Sequence, residues 1–164
     1  MSQIEGRMLT HMFWAYGDLT NLERICINSF VQQRYQVNLW TYGDIKNAPA
    51  GVCLKDAREI LPENRVFLWQ GKSYACFADL FRYAVLREFG GLYADTDIIA
   101  IVGPESLSHQ SFLVTERSDG LVRSLFRSLL TYLIGAKRPR INNNLIYSAR
   151  PKTGDIIDLA YAFS

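Results

Sequence analysis

The stretch "FGGLYADTDIIAI", residues 89–101, decides how the chain is read. An apolar lead-in, "GGLYA", and an apolar exit, "IIAI", enclose two acidic residues, Asp95 and Asp97. Such a run is expected to be a buried strand. Residues two apart on a strand share a face, so the two carboxylates are expected to project together, with Thr96 opposite. Carboxylates held close raise each other's pKa. A divalent cation removes that conflict, and hard oxygen ligands suit Mg²⁺ or Mn²⁺, ions that keep positions open for phosphate oxygens. A bare D-x-D is more often a solvated turn. Here the apolar residues on both sides weigh against that.

Immediately upstream, "SYACFADLFRYAVLREFGG" (73–91) carries a helical pattern. Ser73 is placed to cap it, Phe77, Leu80, Phe81, Ala84 and Val85 form its apolar side, and Gly90 or Gly91 supplies the stop. Asp79 and Arg82 lie three apart on one face. They are either an ordinary surface ion pair or part of a site, with Arg82 forked onto oxygens and Asp79 accepting from hydroxyls. Helix, turn and strand together then suit a phosphorylated sugar.

Further out, "LTHMFWAY" (9–16) reads as a buried strand, "LTNLERICINSFVQQ" (19–33) as a helix with Leu22, Ile25, Cys26 and Phe30 on its apolar side, and "VNLWTY" (37–42) as a strand. Strand–helix–strand is the unit of parallel sheets. "LKDAREIL" (54–61) is predicted as a short helix and "RVFLW" (65–69) as a strand. "SFLVTE" (111–116) is predicted as a strand and "GLVRSLFRSLLTYLI" (120–134) as an amphipathic helix. "INNNLIYS" (141–148) is a strand or loop, and a last helix begins near Thr153. The alternation indicates an α/β fold.

The chain has 164 residues, 49% hydrophobic and 13% aromatic, enough for one domain with a core. Net charge is +2 with scattered basic residues, which gives no footprint for nucleic acid. Cys26, Cys53 and Cys76 are too few and too far apart for a disulfide framework or a zinc knuckle, so a reducing compartment is expected. No stretch has the pattern of a signal peptide or a membrane span. "IEGR" at 4–7 matches the recognition tetrapeptide of a tag-removing protease; residues 1–7 are either a tag remnant or a chance match and are set aside, with 8–164 taken as the domain. The final helical pattern has no stop signal, so a C-terminal part is expected to be missing.

"FADLFRYAVLREFGGLYADTDI" (77–98) resembles the sugar-binding region of the DXD-containing glycosyltransferases, the family of capsular-polysaccharide sugar transferases, yeast mannosyltransferases and glucosylating clostridial toxins. The shared order is Asp79, Arg82, Gly90-Gly91, Tyr93 and Asp95-Thr96-Asp97. "THMFWAYGDLTNLERICINSF" is similar to the family's opening strand and helix, with Trp14 on the tryptophan that stacks on the base. "INNNLIYSARP" is similar to a later segment whose Asn residues lie near sugar and metal. The family's Trp-x-Gly reads "WAYG" here.

The resemblance implies a GT-A fold with a mostly parallel sheet flanked by helices. It implies a metal-assisted retaining transfer of a hexose from a nucleotide-sugar, usually UDP-linked, with Mn²⁺ or Mg²⁺. The acceptor would be a saccharide or a lipid-linked molecule. Asp97 would ligate the metal directly and Asp95 through ribose or a metal-bound water. Asp79 and Arg82 would hold the sugar, with Trp14, Tyr93 and Asn143 as further donor contacts. A cytoplasmic location is expected, with room for peripheral contact at the inner membrane face. The alternative is a non-catalytic or truncated nucleotide-sugar-binding domain. A D-x-D-x-T phosphatase is disfavoured because position 99 is Ile. His11, Trp40 and Trp69 are expected in the core, and His109 in solvent.

Overall fold

A computed structural model of the chain describes residues 8–107, 110, 112–116, 140–149 and 156–162. The first strands are β1 (Leu9–Phe13), β2 (Gln36–Thr41) and β3 (Cys53–Asp56); Thr10, Phe13, Val37, Trp40 and Thr41 favour strand in the first two, whereas β3 has no such residue and is held by its pairing with β2. Between β1 and β2 runs α1 (Asn21–Gln32). Its start is fixed by Thr20, whose hydroxyl accepts from Leu22 N, while Glu23 reaches back to Thr20 N at 3.0 Å. This reciprocal capping satisfies amides that have no partner inside the helix.

The longest described helix, α2 (Ala75–Phe89), leads into β4 (Gly91–Ala94). β5 (Phe112–Glu116), β6 (Arg140–Ser148) and a short helix, α3 (Ile156–Ala162), follow. The strands form one sheet in the order β3-β2-β1-β4-β6-β5. β1 to β4 run parallel, and β6 is antiparallel between β4 and β5. The architecture is therefore the expected α/β fold with a mostly parallel sheet.

Helices cover both faces. α1 buries Cys26, Ile27 and Phe30 on the side of Met12, Val37, Leu39 and Leu92. α2 buries Phe77, Leu80, Phe81 and Val85 against Phe13, Trp40 and Tyr93, with the Phe13 and Phe81 rings stacked at 4.4 Å. α3 rests on α2 through a 2.9 Å Arg87–Asp158 ion pair and the buried Ile157. Since β1 to β4 are parallel, all four end at one edge, where α2 also begins. Ligands of open α/β sheets bind at this edge.

Several expectations need correction. Residues 53–56 pair with β2, so "LKDAREIL" is a strand followed by a 3-10 turn at Ala57–Glu59. "RVFLW" forms no strand; Trp69 makes an isolated bridge with Ser73 and is 56% exposed, so it lies outside the core. On α1 the inward residues are Cys26, Ile27 and Phe30, while Leu22 and Ile25 are exposed. Ser73 does assist α2: its hydroxyl accepts from Ala75 N at 3.1 Å, although Tyr74 is the capping residue. His11 and Trp40 are buried as expected, and Trp40 Nε1 donates to His11 Nδ1 at 3.0 Å. Burial pushes the His11 pKa down to about 4; the Gly90 carbonyl opposes this, yet His11 Nε2 makes no hydrogen bond of ordinary geometry. The described cysteines are all free, with Cys26 buried, Cys76 half-buried and Cys53 exposed. The helix expected over 120–134, His109 and residues 1–7 lie outside the described residues.

The Gly-Gly pair is a steric requirement of the α2–β4 connection. Gly90 has φ 66° and ψ −157°, a region essentially restricted to glycine. Gly91 has φ 86°, and a Cβ there would lie 2.7 Å from the Leu9 carbonyl oxygen of β1. Gly91→Ala is expected to lose at least about 1–3 kcal/mol, read as a lower urea midpoint. Gly17→Ala, at φ 80° with open space around it, should lose less. Equal losses at the two positions would show that the close approach to Leu9 carries no weight.

Candidate functional site at the acidic turn

β4 stops at Ala94, one residue before the acidic pair. The Asp95 amide donates to the Asn144 carbonyl of β6 at 2.9 Å, and the chain then turns, with Ile98 N donating back to Asp95 O at 3.2 Å. Asp95 and Asp97 therefore belong to a turn, and the two-residue repeat of a strand does not align them. The apolar exit is no buried strand either. It runs along α1, held by Ala100 N on Ser29 Oγ at 2.8 Å and by Tyr35 OH on the Val102 carbonyl at 3.2 Å. Ile98 and Ala100 pack inward, and Ile99, Ile101 and Val102 are exposed.

The two carboxylates have different surroundings. Asp95 faces α2, where its Oδ1 accepts from Arg82 Nη2 at 2.9 Å. Asp97 is exposed on the α1 side, near enough for its charge to add to the burial that raises the Cys26 thiol pKa. Arg82 is the hinge of the site. Its side chain is only 4% exposed, and the same Nη2 also reaches Asp79 Oδ1 at 3.2 Å. The guanidinium lies 5.0 Å above the Tyr93 ring. A buried cation needs such partners, because removing it from water costs several kcal/mol. Sequence spacing thus paired Asp79 with Arg82 correctly, and the fold adds Asp95 as a closer partner.

Tyr93 is 1% exposed, and burial raises its hydroxyl pKa. Its ring supports Arg82 from within the core and does not face the open edge. Trp14 lies just past the end of β1, half-buried, with its Nε1 donating to the Gly17 carbonyl at 3.1 Å. The amides expected near the site arrive on β6: Asn144 takes the Asp95 amide, and Asn143 precedes it in the strand. The Asn142 and Asn143 side chains lie outside the described residues. Between Leu113 and Val114 of β5, the partner on β6 jumps from Ile146 to Asn142, a bulge beside the acidic turn. Bulges re-aim side chains and are frequent next to active sites.

Sequence reading missed the clamp that holds the loop after β1. Arg58 binds Glu63 at 2.6 Å, Asp56 at 3.1 Å and the Tyr42 carbonyl at 2.9 Å, and Tyr16 OH donates to Glu63 at 2.9 Å. Lys46 N donates to Asp18 at 2.8 Å, and Leu19 and Asn47 exchange two hydrogen bonds. These residues are far apart in sequence and carry no shared spacing, so only the fold reveals them.

A family model described as "Glycosyltransferase sugar-binding region containing DXD motif" matches residues 26–113, more than half of the chain. The chain belongs to this glycosyltransferase family. Its match contains Asp79, Arg82, Asp95 and Asp97. Among solved structures, the chain is similar to the "PaToxG Glycosyltransferase", with a TM-score of 0.55 and 16% identity over 95% of this chain. It spans 60% of the length of that structure. At that identity the likeness shows a shared fold. No curated protein sequence matches the chain. Among the described residues, no helix is long and apolar enough to cross a membrane.

Burial pushes the Asp95 pKa up to about 6; Arg82 opposes this, while Asp97 and Asp79 add to it. A carboxylate with a raised native pKa binds protons more tightly folded than unfolded. Stability therefore falls as pH rises from about 4, the unfolded pKa, through about 6. Asp95→Asn is expected to flatten the stability profile across that window, measured by urea melts of the metal-free protein. A slope unchanged by the substitution would place the titration elsewhere. Arg82→Ala is expected to cost about 3–5 kcal/mol, because it strips the buried partner from Asp95. A loss below 1 kcal/mol would mean that the pair behaves as a surface contact.

Proposed function

We propose that the chain is a retaining glycosyltransferase domain, residues 8–164, that takes a hexose from a nucleotide-sugar, UDP-linked, and passes it to a saccharide or lipid-linked acceptor. The observation that carries this reading is the buried Arg82, bound to both Asp79 and Asp95 at the ligand edge of the sheet. The fold holds this guanidinium where packing alone would favour an apolar residue. The same side chain orders two carboxylates of the family motif.

A divalent cation fits the chemistry of the turn. No group of three His, Cys, Asp or Glu side chains that could hold a metal is assembled among the described residues. Two carboxylates therefore leave most positions to water and phosphate oxygens, the habit of Mg²⁺ and Mn²⁺. Asp97 and Asp95 would hold the ion, Asp97 directly. When bound, it supplies Lewis-acid stabilisation of the departing diphosphate. Arg82 fixes the Asp95 carboxylate. Asp79, half-exposed above it, accepts hydrogen bonds from sugar hydroxyls. Trp14 stacks on the base at the end of β1, and Asn143 approaches the donor from β6. The work is cytoplasmic on this reading, with the acceptor drawn from polysaccharide synthesis.

Calorimetric titration of UDP, with and without Mn²⁺, tests this. Binding should need Mn²⁺ and should vanish in Asp97→Asn. Trp14→Ala should weaken it about 10- to 100-fold, in line with 1–3 kcal/mol for a stacked base. Affinity indifferent to Mn²⁺ in the wild type would remove the proposal's physical basis. Tight donor binding with no hydrolysis or transfer of any UDP-sugar would favour the alternative, a nucleotide-sugar-binding domain.

A further inference from the structure

Ahead of α2 lies a short turn that none of the site chemistry uses. Phe67, Leu68 and Trp69 are consecutive and are 44%, 42% and 56% exposed. Consecutive large apolar residues in water are unfavourable, and contiguous exposed patches mark interaction sites. The turn is nonetheless tightly built. Trp69 and Ser73 exchange backbone hydrogen bonds at 2.7 and 3.3 Å, Lys72 N donates to Trp69 O at 3.0 Å, and the Phe67 ring meets Phe77 of α2 edge-on at 5.8 Å. At its tip Gln70 holds φ 50°, and Gly71 follows at φ 69°. A non-glycine residue in the left-handed region is strained and persists only where its surroundings impose it. Arg65 and Lys72, both exposed, flank the apolar residues. No acidic side chain lies between them in sequence.

We propose that the turn Phe67–Lys72 is an interfacial anchor that seats Trp69 and Leu68 in the headgroup region of an anionic bilayer, with Arg65 and Lys72 on the lipid phosphates. Tryptophan is suited to that layer, because its ring is apolar while its N–H remains wet. The flanking cations supply charge complementarity to anionic lipid. A neutral saccharide or an apolar protein face would give them nothing to pair with. The anchor stands on its own observations. If the transferase reading also holds, Asp79 and Arg82 lie only about 6 and 10 Å along α2 from its start, so the turn would bring the donor site to a lipid-linked acceptor.

The test needs neither donor nor metal. Co-sedimentation of the full chain is measured with phosphatidylcholine vesicles, with and without phosphatidylglycerol, alongside tryptophan emission. The wild type should bind the anionic vesicles with a blue shift and bind the neutral ones at least tenfold more weakly. The double variant Leu68→Ala/Trp69→Ala should bind at least about 30-fold more weakly. Arg65→Glu/Lys72→Glu should lose at least about 25-fold on anionic vesicles only. All four positions are exposed, so circular dichroism and urea melts serve as controls for folding. Absence of vesicle binding, or variants that bind as wild type does, overturns the proposal. So does self-association that Trp69→Ala abolishes in a protein that ignores vesicles; the surface would then join two copies of the chain.

Discussion

The site depends on one buried cation. Arg82 sits beneath the ligand edge and ties α2 to the end of β4 through Asp95. Water is excluded from most of its surface, so the attraction is worth far more than for an exposed pair. The same exclusion makes the arrangement costly without its partners. Tyr93 offers the face of its ring, Asp79 a second carboxylate, and the α2–β4 connection the geometry. That connection in turn needs Gly90 and Gly91, since β4 starts against the Leu9 carbonyl. The glycine pair, the aromatic residue, the arginine and the first aspartate of the motif thus form one mechanical unit.

The second aspartate belongs to a different environment. Asp97 faces solvent and α1, whereas Asp95 is drawn toward α2. A single turn between two helices therefore presents one carboxylate already committed to a guanidinium and one open to the outside. On the α2 side, burial raises the Asp95 pKa to about 6.

Much of this was legible in the sequence where a repeat or a steric rule applied. The helix over 75–89 follows from apolar residues at helical spacing and a glycine stop, and the strand–helix–strand opening from alternation with turn residues. Asp79 and Arg82 were readable as partners because a helix fixes which residues share a face. The strand expected across Asp95–Val102 was wrong because apolar composition does not distinguish a strand from an extended segment pinned by side chains. Ser29 and Tyr35, both distant in sequence, decide that case. "LKDAREIL" failed for a related reason: the helical tendency of its start is overruled by the pairing of Leu54, Lys55 and Asp56 with β2. Tyr93 was readable as adjacent to the acidic pair, but its burial under Arg82 depends on α2 packing over it. The Arg58 clamp left no signal in local spacing.

The position of β6 has a consequence for how the molecule comes into being. β4 lies between β1, more than seventy residues earlier, and β6, nearly fifty residues later. A chain made from its N-terminus can assemble β1 to β4 and both covering helices while β6 is still absent. In that interval β4 is an edge strand with unpaired amides, a place where chains join wrongly. The amide of Asp95 waits with it, because its acceptor is the carbonyl of Asn144. Until β6 docks, the acidic turn lacks this backbone tie and the core beneath it lacks Ile146.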